Sequence, residues 1–269
     1  MTDASSPGRT IDDDRAETVA AQLIEARRTA RPVAPLTTTL PGLTAADAYE
    51  IQRRIVGRHV AGGETIVGWK LGLTSAAMQA QLGVDQPDYG AILSGSVVPD
   101  GGTVDASRLI VPRIEAEIAA ILRRPLSGRV SHDEVLDAIN GIAAALEVID
   151  SRIADWKIAL PDTVADLAST AHVVVSPTTV PVDGFEPRLV GAVLEKNGGV
   201  VATGAGAAVL GDPISAVAWA AETLGRLGVT LAAGDVVMTG ALHASVPITA
   251  GDRFTASFDR LGSVSVSIA

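Results

Sequence analysis

Three glutamates lie inside otherwise apolar runs. Glu115 and Glu117 stand in Arg113-Ile114-Glu115-Ala116-Glu117-Ile118-Ala119-Ala120-Ile121-Leu122, and Glu147 stands in Ala143-Ala144-Ala145-Leu146-Glu147-Val148-Ile149. Carboxylates keep such company rarely unless something neutralises them. On a strand, side chains alternate faces, so Glu115 and Glu117 point one way while Ile114, Ala116 and Ile118 point the other. Their oxygens can then converge on one cation. Like charges on one strand face repel, and glutamate is depleted in strands, so the pair calls for a compensating positive charge. A hard divalent ion with oxygen ligands, Mg2+ ahead of Mn2+ or Ca2+, suits these donors. The competing reading is the solvated face of an edge strand. A third glutamate in an apolar run weighs against it.

Other residues are chemically out of place. Lys70 stands in Val67-Gly68-Trp69-Lys70-Leu71-Gly72, where a buried ammonium needs a partner or a depressed pKa, unless the side chain snorkels out from a strand end. Gly83-Val84-Asp85-Gln86-Pro87-Asp88-Tyr89-Gly90 reads as a polar loop, with Asp85 and Asp88 either as acids and bases or as turn formers. Asp150-Ser151-Arg152, directly after the Glu147 run, fits a site wall or a solvated helix start. The hydroxyls of Thr163, Ser169 and Thr170 fit a carboxylate-binding stretch or a helix cap. Gly204-Ala205-Gly206 lacks the spacing and the Lys-Ser/Thr ending of a phosphate loop, which excludes a nucleotide site on motif grounds.

The elements that must position these groups follow from composition and periodicity. A chain of 269 residues, 47% of them hydrophobic, can bury a large core. A net charge of -10 and an aromatic content of 3% argue against nucleic acid and anionic membranes as partners. With no cysteine there is no disulfide, thiol nucleophile or thiolate metal site, and the four scattered histidines show no zinc-ligand spacing. No secretion signal or membrane-spanning run is recognised, so a cytoplasmic protein is expected. Residues 1–14 read as a disordered tail and residues 15–65 as an N-terminal helical segment. Within the latter, helices are expected over Asp14–Arg31 and Thr44–Ala61. From residue 66 onward, short β-type runs dominate, including Ala91–Val98, Leu109–Leu122 and Ala144–Ile149. Helices are expected over Ser131–Ile142 and Asp212–Leu227. The pattern is α+β with a largely β core.

Taken in order, Gly68-Trp69-Lys70-Leu71-Gly72-Leu73-Thr74-Ser75, the 83–90 segment, Pro112–Ile118, Ala145–Trp156 and Gly204–Gly211 resemble the hydratase and decarboxylase branch of the fumarylacetoacetate hydrolase superfamily. The resemblance covers roughly residues 15–269. It implies a mixed β core, a β-sandwich roll, as a catalytic domain over 66–269, with a divalent metal held by Glu115, Glu117 and Glu147. It further implies Lys70 and Asp88 at the reacting atoms, with Ser169 and Leu82 contacting substrate. One departure is visible: the family commonly has Asn in Val-Ala-Asp-Asn-Ala-Ser, where this chain has Leu167.

Two reactions occur in that branch. Hydratases add water to 2-hydroxypenta-2,4-dienoate (2-keto-4-pentenoate), and decarboxylases remove CO2 from 2-oxo-3-hexenedioate. Asp85-Gln86-Pro87-Asp88, Ser151–Trp156 and Thr239-Gly240-Ala241-Leu242 resemble the hydratases more, so the expected substrate is a 2-oxo or 2-hydroxy dienoic acid. A homo-oligomer built from dimers, and a complex with a downstream aldolase, are the partners the resemblance implies. A reading of another class, a non-catalytic protein holding a structural Ca2+ or serving as a regulatory partner, differs in one respect. Its ion would be closed off by protein oxygens, whereas a catalytic ion keeps open positions.

Overall fold

Asp12 opens the first helix, α1 (Asp13–Thr29), by accepting the Arg15 amide at its N-cap. The computed structural model describes residues 8–269 apart from the side chains of Ala77, Gln81 and Leu82. A short turn, α2 (Leu36–Thr39), leads to α3 (Ala45–Ala61), which starts on a capping box between Thr44 and Asp47. Asp47 also draws in the chain ahead of α1. Its carboxylate accepts the amides of Thr10 at 2.7 Å and Ile11 at 3.1 Å, and the Thr10 hydroxyl at 2.8 Å. The disordered tail expected through residue 14 is therefore corrected from Thr10 onward, where a buried carboxylate fixes the backbone. Residues 1–7 lie outside the described residues.

The β core follows: β1 (Ile66–Gly72), β2 (Asp88–Leu93), β3 (Val97–Val98), β4 (Thr103–Val104), β5 (Arg113–Leu122), β6 (Ile139–Ile149) and β7 (Thr170–Val175). Next come β8 (Gly191–Lys196), β9 (Gly199–Ala205), β10 (Val236–Ala241), β11 (Val246–Pro247), β12 (Arg253–Phe258) and β13 (Gly262–Ile268). Helices α4 (Ala76–Leu82), α5 (His132–Ala138), α6 (Leu160–Ala165) and α7 (Pro213–Arg226) interrupt them. The helix expected over Ser131–Ile142 stops at Ala138, because β-branched Ile139 and Ile142 join the long strand β6. Asp88, expected in a loop, is the first residue of β2 and is buried.

The larger sheet runs β2-β1-β10-β5-β6-β7-β3, with β11 also pairing β5, and the smaller runs β4-β13-β12-β8-β9. Their facing sides form the main core, in which Ile114, Ala116, Ile118 and Leu146 of the larger sheet meet Leu194, Phe254, Ala256 and Val266 of the smaller. The opposite face of the larger sheet carries Ala119, Ala145, Val173 and Met238 in a small apolar cluster. Alternation puts Glu115 and Glu117 on this face, with Ala119. Helices α1 and α3 share a further core with Val164, Ala165 and Leu167. Among the described residues no helix is long and apolar enough to cross a membrane.

Burial works to raise the Asp47 pKa, but donors from Thr44, Ile11 and Thr10 outweigh it and hold the carboxyl far below its ordinary value. Its contribution to stability is then complete above the unfolded-chain pKa near 3.9 and is lost as pH falls below that. Asp47→Ala is expected to cost about 2–3 kcal/mol at pH 7 by removing a cap and its satellite bonds. Urea unfolding at pH 7 and pH 3 checks this: the gap between wild type and variant should narrow at the lower pH.

Candidate metal centre

Strands β5 and β6 pair antiparallel with Glu115 directly opposite Glu147, so register alone brings a glutamate from each strand to one place. One oxygen from each of Glu115, Glu117 and Glu147 lies within 4.8 Å of the other two. Glu117 and Glu147 are buried at 1% and 0% exposure, and Glu115 is half-buried. Glu117 Oε2 accepts the Gly240 amide at 2.9 Å. Neither Glu147 oxygen accepts a hydrogen bond. Buried carboxylate oxygens left without donors are costly, and hard oxygen donors of this number and spacing fit a divalent cation.

Among the described residues the one ammonium facing the cluster belongs to Lys70, which arrives on β1 in register with Met238 of β10. Its Nζ lies 3.4 Å from Glu147 Oε2, an ion-pair distance without hydrogen-bond alignment, and donates to the Ala168 carbonyl at 2.9 Å. Burial by itself would lower the Lys70 pKa, but the charges of Glu147, Asp88, Glu115 and Glu117 outweigh it and raise the pKa above its ordinary value. Lys70 is therefore charged, buried and paired rather than snorkelling. One ammonium does not balance four carboxyls. Burial, followed by the charge of Glu147, pushes Glu115 up to about 7. Burial and both neighbouring glutamates push Glu117 well above the carboxylate range. Asp88 is raised by burial, with Lys70 opposing.

Gly72 makes the Asp88 position possible. A Cβ there would stand 2.2 Å from Asp88 Oδ1 and 3.4 Å from Lys70 Nζ, so the missing side chain is the space these two groups share. Across from them, Leu167, Ala168 and Ser169 take φ values of 55, 50 and 59°. Three successive left-handed residues other than glycine are strained and need the surroundings to hold them. Buried Arg152 does so: its amide and Nε donate to Asp166, and its Nη1 donates to the Thr170 carbonyl at 3.0 Å. The turn aims the Ala168 carbonyl at Lys70 and sets the Ser169 hydroxyl 3.3 Å from that of Thr163, both buried.

The structure thus brings Glu115, Glu117, Glu147, Lys70 and Asp88 together. Ser169 is held by the turn beside Lys70. Asp85 is exposed, and Leu82 ends α4 with its side chain outside the described residues. Leu167, where the resemblance implies Asn, packs its side chain into the helical core with Val164 and Ala165. Of the two readings of Asp150-Ser151-Arg152, the structure gives Arg152 a buried place in the wall, and its pairing with Asp166, 14 residues further on, is the part that sequence reasoning missed. Among the described residues no histidine joins the acidic cluster. His243 comes closest in role, with Nε2 accepting the Ala116 amide at 3.1 Å and Nδ1 donating to the Ala244 carbonyl at 2.8 Å.

A two-sheet β core with a helical layer and a face of acidic ligands around one lysine defines the class. Residues 65–269 match the fumarylacetoacetate (FAA) hydrolase C-terminal family, and the chain belongs to it. Within the family, it is 43% identical over 249 residues to the 2-keto-4-pentenoate hydratase of Paraburkholderia xenovorans, covering 92% of this chain and 93% of the relative. It is 42% identical over 258 residues to a 4-oxalocrotonate decarboxylase of Pseudomonas putida, covering 96% and 98%. The solved structure of the Pseudomonas putida G7 4-oxalocrotonate decarboxylase, complexed with magnesium and adipate, superposes with a TM-score of 0.94 at 40% identity. It covers 97% of this chain and 100% of that one.

A divalent ion that neutralises these carboxyls stabilises the folded chain by about 2.7 kcal/mol at a hundredfold excess over its Kd, enough to raise Tm by about 5 °C or more. Thermal melts with Mg2+ or Mn2+ against chelator are expected to show this rise at pH 8. The rise should shrink toward pH 6, because protons compete for Glu115 and Glu117. Glu147→Gln should abolish it.

Proposed function

We propose that the chain is a divalent-metal-dependent hydratase that converts 2-hydroxypenta-2,4-dienoate and water into 4-hydroxy-2-oxopentanoate. The observation that carries this reading is the convergence of Glu115, Glu117 and Glu147 beside a buried, charged Lys70. Such a centre has acidic ligands for a cation that chelates a 2-oxo acid, and an ammonium for the negative charge that develops on the oxo oxygen. The 43% identity to a named hydratase, and the magnesium in the solved decarboxylase, support it.

Glu115, Glu117 and Glu147 would hold Mg2+, or Mn2+ in its place. When bound, the ion polarises the 2-oxo group as a Lewis acid. Lys70 gives a proton to C5 of the dienol and recovers one from the 2-hydroxyl, leaving the 2-oxo-3-ene. Asp88, whose acidity is reduced by burial, takes a proton from the water that adds at C4 and returns it to C3. Ser169 holds the substrate carboxylate through its hydroxyl. A hydrolytic reading with histidine as the water-activating base is disfavoured, since both nitrogens of His243 are committed to backbone groups.

Decarboxylation of 2-oxo-3-hexenedioate is the second reading, supported by the TM-score of 0.94 and by the 42% identical relative. The same electron sink would serve both reactions. An assay on freshly generated 2-hydroxypenta-2,4-dienoate separates them: metal-dependent loss of the dienol with a mass gain of one water supports the hydratase. CO2 release from 2-oxo-3-hexenedioate, with no turnover of the dienol, would replace it with the decarboxylase. Lys70→Met is expected to lower kcat by about a hundredfold or more while leaving Mn2+ affinity undiminished, as general acid–base roles carry about 10²–10⁴. An unchanged kcat would remove Lys70 from the chemistry.

A further inference from the structure

Where β10 passes β5, the ladder between them is interrupted between Met238 and Ala241. The β5 backbone groups left by this break lie on either side of the two metal-type glutamates, and the segment 239–243 replaces the missing rungs one by one. The Thr239 hydroxyl donates to the Ile118 carbonyl at 2.8 Å, and the Gly240 amide donates to Glu117 Oε2 at 2.9 Å. The Leu242 amide donates to the Ala116 carbonyl at 3.0 Å. The Ala116 amide, between Glu115 and Glu117, has no backbone acceptor there and donates to His243 Nε2 at 3.1 Å.

The tautomer of His243 is fixed by its surroundings. A carbonyl only accepts, so the 2.8 Å contact with Ala244 requires the proton on Nδ1, which leaves the Nε2 lone pair for Ala116. Gly240 permits the geometry of the break: its φ is +120°, and a Cβ would stand 2.0 Å from Thr74 Oγ1. Ala116 itself turns its methyl into the core between the sheets and is fully buried, so its amide has no access to solvent as an alternative.

We propose that His243 is a positioning residue for the acidic centre. By capping the amide between Glu115 and Glu117 it fixes the strand twist that sets the spacing of their carboxylates, and with it the affinity for a divalent ion. The inference rests on reading those glutamates as ion ligands. Outer-shell partners of ligands typically carry about 10–100-fold of metal affinity. Both ring nitrogens of His243 bond backbone groups and neither bonds a glutamate carboxylate, so the effect on affinity passes through the strand.

Calorimetric titration of Mn2+ into the metal-free protein tests both layers. Wild type, Glu147→Gln, His243→Leu and His243→Gln are compared, each with a melting curve of its metal-free form. Glutamine places a carbonyl oxygen where Nε2 lies, whereas leucine offers no acceptor. Expected is an affinity at least tenfold weaker for His243→Leu, with recovery to within about threefold for His243→Gln, while the leucine variant still melts cooperatively. If Glu147→Gln binds Mn2+ as wild type does, the ligand reading itself fails and takes the proposal with it. If Glu147→Gln loses binding but His243→Leu matches wild type, or His243→Gln is as weak as His243→Leu, only the positioning role is overturned. Should the leucine variant not fold, His243→Met, similar in size and a poor acceptor, is read against His243→Gln by the same criteria.

Discussion

Electrostatic repulsion among buried carboxyls on one sheet face is the constraint around which this molecule is organised. Two unit charges 4 Å apart interact by about 4 kcal/mol at an effective dielectric of 20, a large fraction of the 5–15 kcal/mol by which a folded domain is stable. Glu115, Glu117, Glu147 and Asp88 face a single ammonium, and burial first, then the neighbouring carboxylates, raise the pKa values of Glu115, Glu117 and Asp88. Such an arrangement persists only on a scaffold that cannot relax. The paired strands β5 and β6 provide it, anchored from below by Ile114, Ala116, Ile118 and Leu146 in the core between the sheets.

Much of the remaining architecture confines the same few atoms. Gly72 leaves the space in which Asp88 and Lys70 share a wall. The Arg152–Asp166 pair holds a left-handed turn that supplies Lys70 with the Ala168 carbonyl, and the helices α1 and α3 close over that turn through Leu167. Backbone strain at 167–169 and burial of an ion pair are both unfavourable taken alone. They make sense as the means of fixing a lysine against repelling acids. The metal reading and the hydratase reading rest on this geometry together, since the first supplies the cation and the second gives Lys70 and Asp88 work that a structural ion site would not require.

The glutamate triad was legible because strand alternation is a rigid rule: Glu-x-Glu in an apolar run places both side chains on one face, and Glu147 was conspicuous by its neighbours. Lys70 was legible for the same reason, as the one charge in a glycine-bounded apolar strand. The α+β fold and the family came from motifs read in order. Local propensity did not reveal features decided by distant partners. Asp88 belongs to a strand because β1 pairs with it, not because Pro87-Asp88 favours one. Ile139 to Ile142 leave the helical pattern because β5 recruits them. Thr10 is ordered by Asp47, which lies 37 residues away. The left-handed residues Leu167 to Ser169 carry no glycine signature, and Gly240 in the break opposite Ala116 does not by itself reveal which β5 groups the break leaves, so only the assembled sheet discloses them.

Anomalous diffraction from a crystal of the protein grown with Mn2+ and oxalate tests the central claim most directly. The account predicts one manganese peak per chain, bounded by the carboxylates of Glu115, Glu117 and Glu147, with oxalate filling the open positions on the side of Lys70. A peak elsewhere, an ion at the triad enclosed wholly by protein oxygens with oxalate absent, or no peak at saturating Mn2+ would contradict it.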